Sequence, residues 1–471
     1  MALQKGHIVI AWASRVNANS RLCINMKSFK WIAIVCGLLL AILIALPFFI
    51  SLDDYIPQIE KAASAKLQEP VSIKSIKFTA LPLPHVRIDR INVGKTGDIK
   101  VETVTVIPDI FSLLSATRVI RSIEIDSLIL TQAAIDRIPV WSKPDDTKSA
   151  QEHPQVRVES IRLLNALVRH DKASFGPFDA LVNLNSKGEP TDALITTRDG
   201  KLKAAVKPEQ SSYLIDISAK SWQLPVGPAV HFDELTMHGV ATLKDVDFSR
   251  VSARLYGGTV NGNARAGWQK GLQIKGSFDI NQVELKALLP LVSPGTHMSG
   301  RLDAKPVFSA AAADANRLMD ALRLETSFNV RNGVLHGVDI KQAATSLIKQ
   351  GAKGGETAFE QLSGQLNLAG GTYRLTQLRI ASGVLAADGN VNISPKKELS
   401  GRINAQVKAL GTSAGVPLNV AGTVNSPLLY PTGGTMAGAA IGTVLMPGVG
   451  TGLGAKAGQY MENLFGGKPK K

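Results

Sequence analysis

The residue types that most often carry out chemistry in proteins are sparse in this chain and do not cluster. Its eight histidines are dispersed, and none has the spacing of a zinc-binding HExxH motif or of a mixed His/Cys ligand set. His170 precedes Asp171, but neighbours on a strand point to opposite faces, which favours an exposed turn over an acid–base pair. We therefore expect no catalytic residues, no metal site, no bound cofactor and no enzyme activity.

Nucleophile and phosphate-binding motifs in their required context are also missing from the sequence. It contains no phosphate-binding loop. Gly411, Ser413 and Gly415 have the Gly-x-Ser-x-Gly spacing, but no predicted helix follows them, as a nucleophile elbow requires. Gly450, Gly452 and Ala455 imitate a dinucleotide-binding turn, but they follow Met446-Pro447 and not a predicted strand. The context therefore contradicts nucleotide binding.

The two cysteines, Cys23 and Cys36, lie at or inside the first hydrophobic segment. The rest of the chain has no thiol, so no disulfide or cysteine metal site can form there. An oxidising compartment in which disulfides are not used would account for this pattern, and so would chance absence in a cytosolic protein.

Composition indicates a folded, β-rich protein. Of the 471 residues, 45% are hydrophobic and only 5% aromatic, so a substantial core must be built from Val, Ile, Leu and Ala, which suits strands. The length predicts two or three modules. The formal net charge is +15, but Lys and Arg are scattered along the chain and do not build a basic and aromatic platform, so we expect no nucleic-acid partner.

A membrane anchor is the most specific signal in the sequence. Residues 31–50 read WIAIVCGLLLAILIALPFFI and carry no charge, and at about 1.5 Å per helical residue they cover the roughly 30 Å hydrocarbon layer. Lys27 and Lys30 precede this run, whereas Asp53 and Asp54 follow it. The positive-inside rule therefore places residues 1–30 in the cytoplasm and the body across the membrane. The expected anchoring side chains are Trp31, Leu38, Leu39, Leu40, Leu43, Phe48 and Phe49.

A cleaved signal peptide is the competing interpretation of this run. The apolar stretch is long for a signal peptide and ends in Pro47, Phe48 and Phe49 without a small-x-small cleavage site, which favours an uncleaved anchor. Met26 with Lys27 has the character of a conventional start, so residues 1–25 are expected to be a misassigned extension of the chain.

After the anchor, the pattern changes from helix to strand. Ile56, Ile59, Ala63 and Leu67 are spaced for a short amphipathic helix over residues 53–67. Alternating runs rich in Val, Ile and Thr then predict strands, with a helical turn at 109–115 between the last two. The predicted strands cover residues 71–78, 86–93, 99–107 and 122–131.

Residues 142–155 (SKPDDTKSAQEHPQ) are charged, contain two prolines and lack periodicity, so they predict a surface loop or linker. A second β region follows, in which glycines are expected to form turns and are succeeded by alternating polar and apolar positions. Short helices are expected near 313–322 and 340–349. The glycine spacing is too irregular for a propeller or solenoid. Roughly twenty strands fit, and at ~4.8 Å per strand one antiparallel sheet would run about 100 Å.

These patterns together resemble the AsmA family, whose N-terminal part is similar to the chorein-type start of bridge-like lipid transfer proteins. The resemblance covers most of residues 27–430. Near the N-terminus it is carried by the anchor, the amphipathic helix, VRIDRINVG (86–94) and DIFSLLSATRVIRSIEIDSLIL (109–130). Later it is carried by RLYGGTVNG (254–262), NGVLHGVDI (332–340), ETAFEQLSGQLNLAGGTYRLTQLRIASGVLAADGNVNI (356–393) and VPLNVAGTVNSPLLYP (416–431).

The resemblance implies a mainly β fold with a few short helices. A single N-terminal transmembrane helix would be followed by a long curved antiparallel sheet that forms an open, taco-like groove. The expected divisions are 1–30 cytoplasmic, 31–50 anchor, 53–141 chorein-like module, 142–155 linker, 156–330 middle β-rich region, 331–430 C-terminal β module, 431–466 glycine-zipper segment and 467–471 basic tail.

It also implies a function. We expect a protein of the bacterial inner membrane with its body in the periplasm, which assists phospholipid transport toward the outer membrane and outer-membrane biogenesis. Expected partners are phospholipids, the inner membrane, and outer-membrane or envelope proteins. The alternative is a scaffold for outer-membrane protein insertion, in which edge strands pair with a client and no lipid is transferred. The expected groove lining comprises Val86, Ile88, Ile123, Ile125, Leu366, Leu368, Val391 and Ile393.

The C-terminus is rich in glycine and has no charge between Lys408 and Lys456. Its glycines recur every four residues, so a helix there would carry them on one face, as in small-xxx-small packing in lipid. A membrane-associated hairpin and a flexible or closely packed soluble tail remain equal alternatives, because each half is shorter than the roughly 20 residues of a span. The membrane-contact candidates are Gly434, Gly438, Gly442, Gly450, Gly454 and Gly458.

Overall fold

The computed structural model describes residues 52–432 and Lys456. Within 52–432 the gaps are 81–82, 116, 132, 135–136, 138–154, 171–172, 226–227, 270, 294, 314–316, 346–353 and 410–411. The predicted anchor, the candidate glycines of the C-terminus and most of the predicted linker lie outside the described residues. Among the described residues, no helix combines the length and the hydropathy needed to cross a bilayer.

The predicted first helix is present as a 3₁₀ turn, Asp53–Tyr55, that continues into α1, Ile56–Leu67. It ends because Gln68 adopts a left-handed conformation, with φ of 53°. Two further helices are α2, Leu285–Val292, and α3, Ile340–Thr345. The predicted turn at 109–115 is a 3₁₀ turn, Ile110–Leu114, capped by the side chain of Asp109. Around the predicted helix at 313–322, the described residues 318–321 form a turn.

The described strands form one sheet of 23 members. The first seven are β1 Val71–Thr79, β2 His85–Val93, β3 Ile99–Pro108, β4 Thr117–Thr131, β5 Gln155–Val158, β6 Ser160–His170 and β7 Ala173–Leu184. The next eight are β8 Pro190–Thr197, β9 Leu202–Glu209, β10 Ser212–Gln223, β11 His231–Ala241, β12 Asp245–Leu255, β13 Gly258–Gly267, β14 Leu272–Glu284 and β15 Met298–Ala304. The last eight are β16 Val307–Ala312, β17 Arg323–His336, β18 Glu356–Ala369, β19 Thr372–Ala381, β20 Leu385–Ile393, β21 Leu399–Ala409, β22 Thr412–Thr423 and β23 Ser426–Pro431.

Most neighbouring strands pair as an antiparallel meander, but the sheet is mixed, which corrects the expectation of a purely antiparallel sheet. Strands β5 and β6 both lie parallel to β4. A parallel neighbour requires a long connection instead of a tight turn, and β4 and β5 are far enough apart in the sequence to allow one. Of the predicted linker, the last residue, Gln155, belongs to β5, and the others lie outside the described residues.

The strands do not alternate regularly along their whole length, as the sequence pattern suggested. Val101 and Val104 belong to one apolar cluster, as do Ile125 and Leu128, although residues three apart on a regular strand point to opposite faces. We call such a site an alternation break. Seven polar residues within strands have positive φ, the geometry of a β-bulge that bends a strand: Arg90, Ser127, Asn165, Ser221, Gln282, Asn332 and Gln377.

The breaks in the first strands fall on one level of the sheet. Asp89, which precedes Arg90, pairs with Thr103, and Thr103 pairs with Asp126, which precedes Ser127. Because each break realigns the strand by one residue, the apolar side chains before and after it stay on the same face. The result is a sheet with one apolar and one polar face.

Several glycines expected in turns lie inside strands instead. Gly389 and Gly401 face neighbouring backbone so closely that a Cβ atom at either position would collide with a carbonyl oxygen across the sheet. Of the glycines that begin the predicted alternating runs, Gly371 does occupy a turn, with φ of 70°. Close packing between strands therefore explains more of these glycines than turn geometry does.

Candidate functional site

The first strands build continuous apolar rows on one face of the sheet. Val86 of β2 pairs with Val106, which pairs with Ile123 of β4. In the parallel row, Ile88 pairs with Val104, and Val104 pairs with Ile125. Strand β6 extends the two rows with Ile161 and Leu163. The four predicted groove residues of this region therefore lie side by side on adjacent strands, and all four are half-buried.

The opposite face of the same strands is polar. Asp89 accepts hydrogen bonds from Arg87 Nε at 2.7 Å, Ser75 Oγ at 3.3 Å and Thr103 Oγ1 at 3.4 Å. Partial burial tends to raise the pKa of Asp89, but the hydrogen bonds from Arg87 and Ser75 and the charge of Arg87 outweigh it and hold this pKa below its ordinary value. The face thus keeps ionised groups and water on the side away from the apolar rows.

Side chains from neighbouring strands stabilise the alternation breaks. The backbone N–H of Asn165 donates to Asp179 Oδ1 at 2.8 Å, and that of Gln282 donates to Asp303 Oδ1 at 2.9 Å. Gln377 N–H donates in the same way to the Asn390 side-chain oxygen at 3.0 Å. A backbone donor that leaves the regular ladder is thereby satisfied, as a part-buried donor must be.

In the middle of the sheet, aromatic rings lie over glycines of the adjacent strand. Gly262 pairs with Phe278, and Gly276 pairs with Phe308, where a Cβ atom at either glycine would come within 3.0 Å of the facing ring. The two rings stack on each other with centroids 5.7 Å apart. The absence of a side chain at the two glycines makes room for the rings.

The far end of the apolar face is closed by the protein itself. Helix α3 packs across β18 and β21–β23, and its Ile340 and Ala343 are buried with Leu385, Ala405 and Leu418 in one cluster. Val391, a predicted groove residue, packs against this cluster. The expectation of an apolar face left uncovered along its whole length is therefore wrong at this end.

The other predicted groove residues of the C-terminal module lie next to the closed end. Leu366 and Val391 both pair with Leu375, whereas Leu368 and Ile393 both pair with Tyr373. Leu368 is buried and the other three are half-buried. The assignment of all eight residues to a groove stays a prediction.

Several residues of the apolar face were not singled out from the sequence. Leu128, Leu163, Ala166 and Phe178 cluster with Ile125. The alternation breaks at Ser127 and Asn165 put Leu128 and Ala166 out of phase with a period of two. A polar residue flanked by apolar residues three apart was the available signal, as in Leu163 and Ala166 around Asn165. No group of three or more potential ligand side chains among the described residues is arranged to hold a metal ion.

These features define a class of protein: a β-rich chain built on one long sheet whose distinctive surface is an extended apolar face. Residues 152–378 match the model of the AsmA family, from just before β5 to within β19. This match supports assignment of the chain to the AsmA family and confirms the resemblance seen in the sequence over these residues. A search of curated proteins gave no match.

Proposed function

We propose that this protein is an inner-membrane anchored lipid carrier of the periplasm, which holds phospholipid acyl chains on the apolar face and assists phospholipid transport toward the outer membrane. Membership of the AsmA family is consistent with a role in envelope or outer-membrane biogenesis or in lipid transport. The more specific proposal of lipid carriage rests on one observation: helix α3 covers the apolar face at one end, and in the described part of the chain the other end has no such cover.

The face is open at the first end and closed at the last. Val86, Ile88, Ile123 and Ile125 keep part of their surface exposed, and no described helix packs extensively across β2, β3 or β6–β13. A monomeric soluble protein rarely exposes a continuous apolar surface of this kind without a ligand or partner for it. Alternation breaks bend the strands, so the face would curl into a trough that matches a row of acyl chains.

Movement along the trough would be passive. A phospholipid would enter near α1, slide along the apolar rows with its headgroup in water, and leave before the segment closed by α3. Each buried methylene contributes about 0.8 kcal/mol, so a uniform lining retains the lipid and adds little barrier to sliding. Direction would come from a partner or a concentration gradient.

The alternative function, a scaffold that pairs edge strands with a client, receives less support. At the first edge, Ser64 Oγ, Glu60 Oε1 and Asp53 Oδ1 accept the backbone N–H groups of β1. At the other described edge, β23 contains Pro427 and Pro431, which have no N–H to donate. Both edges are therefore protected against strand addition.

Site-specific photocrosslinking of the full chain tests the proposal. A benzophenone amino acid would replace Ile88 or Ile125 on the apolar face, with Thr105 on the polar face of β3 as the matched control. After irradiation in bacterial membranes, mass spectrometry should find phospholipid adducts at Ile88 and Ile125 and none at Thr105. Equal adducts at all three positions, or none at any, would contradict a lipid-carrying face.

A substitution pair gives the functional counterpart. Ile125→Asp puts a charge on the apolar rows and should abolish phospholipid co-purification, whereas Thr105→Asp should leave it unchanged. Thermal unfolding of both variants shows whether the sheet remains folded. Crosslinks to barrel proteins in place of lipid adducts would favour the scaffold.

A further inference from the structure

The strand ends nearest to α1 form an exposed apolar margin. The β1–β2 turn follows Thr79, which pairs with His85, and the β3–β4 connection lies beside it because Val86 pairs with Val106. The large apolar side chains exposed at these strand ends are Tyr55, Leu83, Ile110, Phe111 and Val156, which we call the entry lip. Phe111 is 84% exposed.

The opposite ends of the same strands are polar and ion-paired. There the β2–β3 turn carries Asp98, and Arg137 Nη1 lies 3.1 Å from Asp98 Oδ2 and 2.6 Å from Glu69 Oε1. The lip end also carries charge, since Arg121 Nη2 lies 3.5 Å from Asp109 Oδ1. The exposed large apolar side chains of these strands, however, lie at the lip end alone among the described residues. Such a polarised arrangement distinguishes a contact surface from scattered exposed apolar residues.

The chain itself brings the entry lip close to the predicted anchor. Asp53 Oδ1 accepts the Ile76 N–H at 3.0 Å. This hydrogen bond holds the start of the folded body near the lip end of β1, where Phe78 lies two residues after Ile76. Residue 50, where the uncharged apolar run ends, is three residues from Asp53, a reach of at most about 10 Å. At ~4.8 Å per strand, the lip extends about 20 Å from β1 to β5.

We propose that the entry lip lies in the headgroup region of the bilayer that holds the anchor, and that it seats the open end of the apolar face on the lipid surface. This inference rests on the anchoring in the proposed function. Aromatic and aliphatic side chains favour that interfacial region. The bilayer is the occupant that the tether selects, because no protein partner is held within this reach by the chain itself.

The chain offers a matched control for this contact. Leu243 is 83% exposed and occupies the β11–β12 turn, which lies on the same side of the sheet as the lip. Six or more strands separate it from the 3₁₀ turn that carries Phe111, so the separation along the sheet is about 30 Å or more. A sheet seated by its first end alone leaves Leu243 in water.

Fluorescence quenching in vesicles tests the entry lip. Full-length chain with both cysteines replaced by serine would carry Phe111→Cys, Leu83→Cys or Leu243→Cys, labelled with an environment-sensitive fluorophore. In vesicles of phosphatidylethanolamine and phosphatidylglycerol with brominated acyl chains, labels at 111 and 83 should lose emission relative to unbrominated vesicles. The label at 243 should not.

Absence of quenching at both 111 and 83 would overturn the inference, and so would equal quenching at 243, since the whole margin would then lie on the bilayer. The photocrosslinks at Ile88 and Ile125 report separately on the lipid-carrying face. If lipid adducts form at Ile88 and Ile125 but the labels at 111 and 83 are not quenched, the membrane contact of the entry lip is rejected and the proposed function stands. If those labels are quenched but no adducts form, the membrane contact is supported and lipid carriage is rejected.

Discussion

The alternation break at Gln282 depends on a single carboxylate, that of Asp303. Its Oδ1 accepts from both the backbone N–H and the side-chain amide of Gln282, each at 2.9 Å, and its Oδ2 accepts from Arg331 Nε at 3.1 Å. Partial burial raises the pKa of Asp303, but the hydrogen bonds from Arg331 and Gln282 outweigh this and hold it below its ordinary value. The ionised form therefore stabilises the fold.

Because the pKa of Asp303 is lowered in the folded state, the stability of the fold should depend on pH. A carboxylate whose pKa is lower in the folded state contributes stability above its unfolded pKa of about 3.9, and that contribution is lost as the pH falls through the folded value. Asp303→Asn should lower the melting temperature by about 2–4 °C at neutral pH, and the difference from wild type should shrink below about pH 4. Thermal unfolding followed by circular dichroism at a series of pH values measures it.

Asp279→Asn is the matched control for this prediction. Asp279 lies on the same strand as Gln282, and its ion pair with Lys305 is exposed, with 3.6 Å between Nζ and Oδ2. Exposed pairs of this kind contribute little, so the control should melt close to wild type at every pH. Equal effects of the two variants would mean that the break does not depend on Asp303.

At the scale of elements, α1 serves the sheet as an edge cover as well as a connection from the predicted anchor. Ser64, Glu60 and Asp53 accept the N–H groups of Val71, Ile73 and Ile76. The acceptors match β1 along its length, including the three-residue step from Ile73 to Ile76. An uncovered edge of this length would be a template for pairing with a second copy.

Loss of these acceptors should therefore promote self-association. We expect the double variant Asp53→Ala and Glu60→Ala to form dimers or larger species that wild type does not form at the same concentration. Size-exclusion chromatography with light scattering measures this in detergent. Lys61→Ala, on the same helix, should stay at the wild-type mass, and an unchanged mass for the double variant would show that the helix backbone alone protects the edge.

Local patterns predicted many elements because they depend on nearby residues. The 3.6-residue period predicted α1, and the Val, Ile and Thr runs predicted β1–β3 to within one residue at each end. The start of β4 was placed at 122, whereas the strand begins at Thr117. Helix α2 was missed because its sequence, LKALLPLV, is short, follows β14 directly and contains Pro290. The parallel pairing of β4 with β6 and the packing of α3 on distant strands were not predictable, because they depend on contacts far apart in sequence.

The individual residues of the apolar face were likewise predictable only in part. The predicted period of two holds from Val86 to Ile88 and from Ile123 to Ile125, because each pair lies on one side of an alternation break. Leu128 and Ala166 were not found, because Ser127 and Asn165 shift the phase by one residue. A strict period of two therefore describes each half of a strand and fails across its middle.

At the scale of the molecule, the described part of the chain is one sheet on which few helices pack, so its strands form a nearly one-dimensional array of neighbours. Each strand contacts mainly its two neighbours, so stability is expected to be a sum of local terms, as in repeat proteins. The closed end is the densest part, since Ile340, Ala343, Ala405 and Leu418 are all at most 2% exposed. The open end has no equivalent cluster of fully buried large side chains among its described residues.

Because the two ends differ in packing density, we expect shortening a buried side chain at one end to destabilise mainly that end. Ile340→Ala removes buried methylenes under α3 and should destabilise the closed end by about 2–5 kcal/mol. Hydrogen exchange measured by mass spectrometry should accelerate in β18 and β20–β23 and remain unchanged in β1–β4. Ile88→Ala, at the half-buried open end, should show the reverse distribution with a smaller increase. Uniform loss of protection in either variant would show that the 23 strands unfold as one cooperative unit, and the open end could then not exchange lipid without disturbing the closed end.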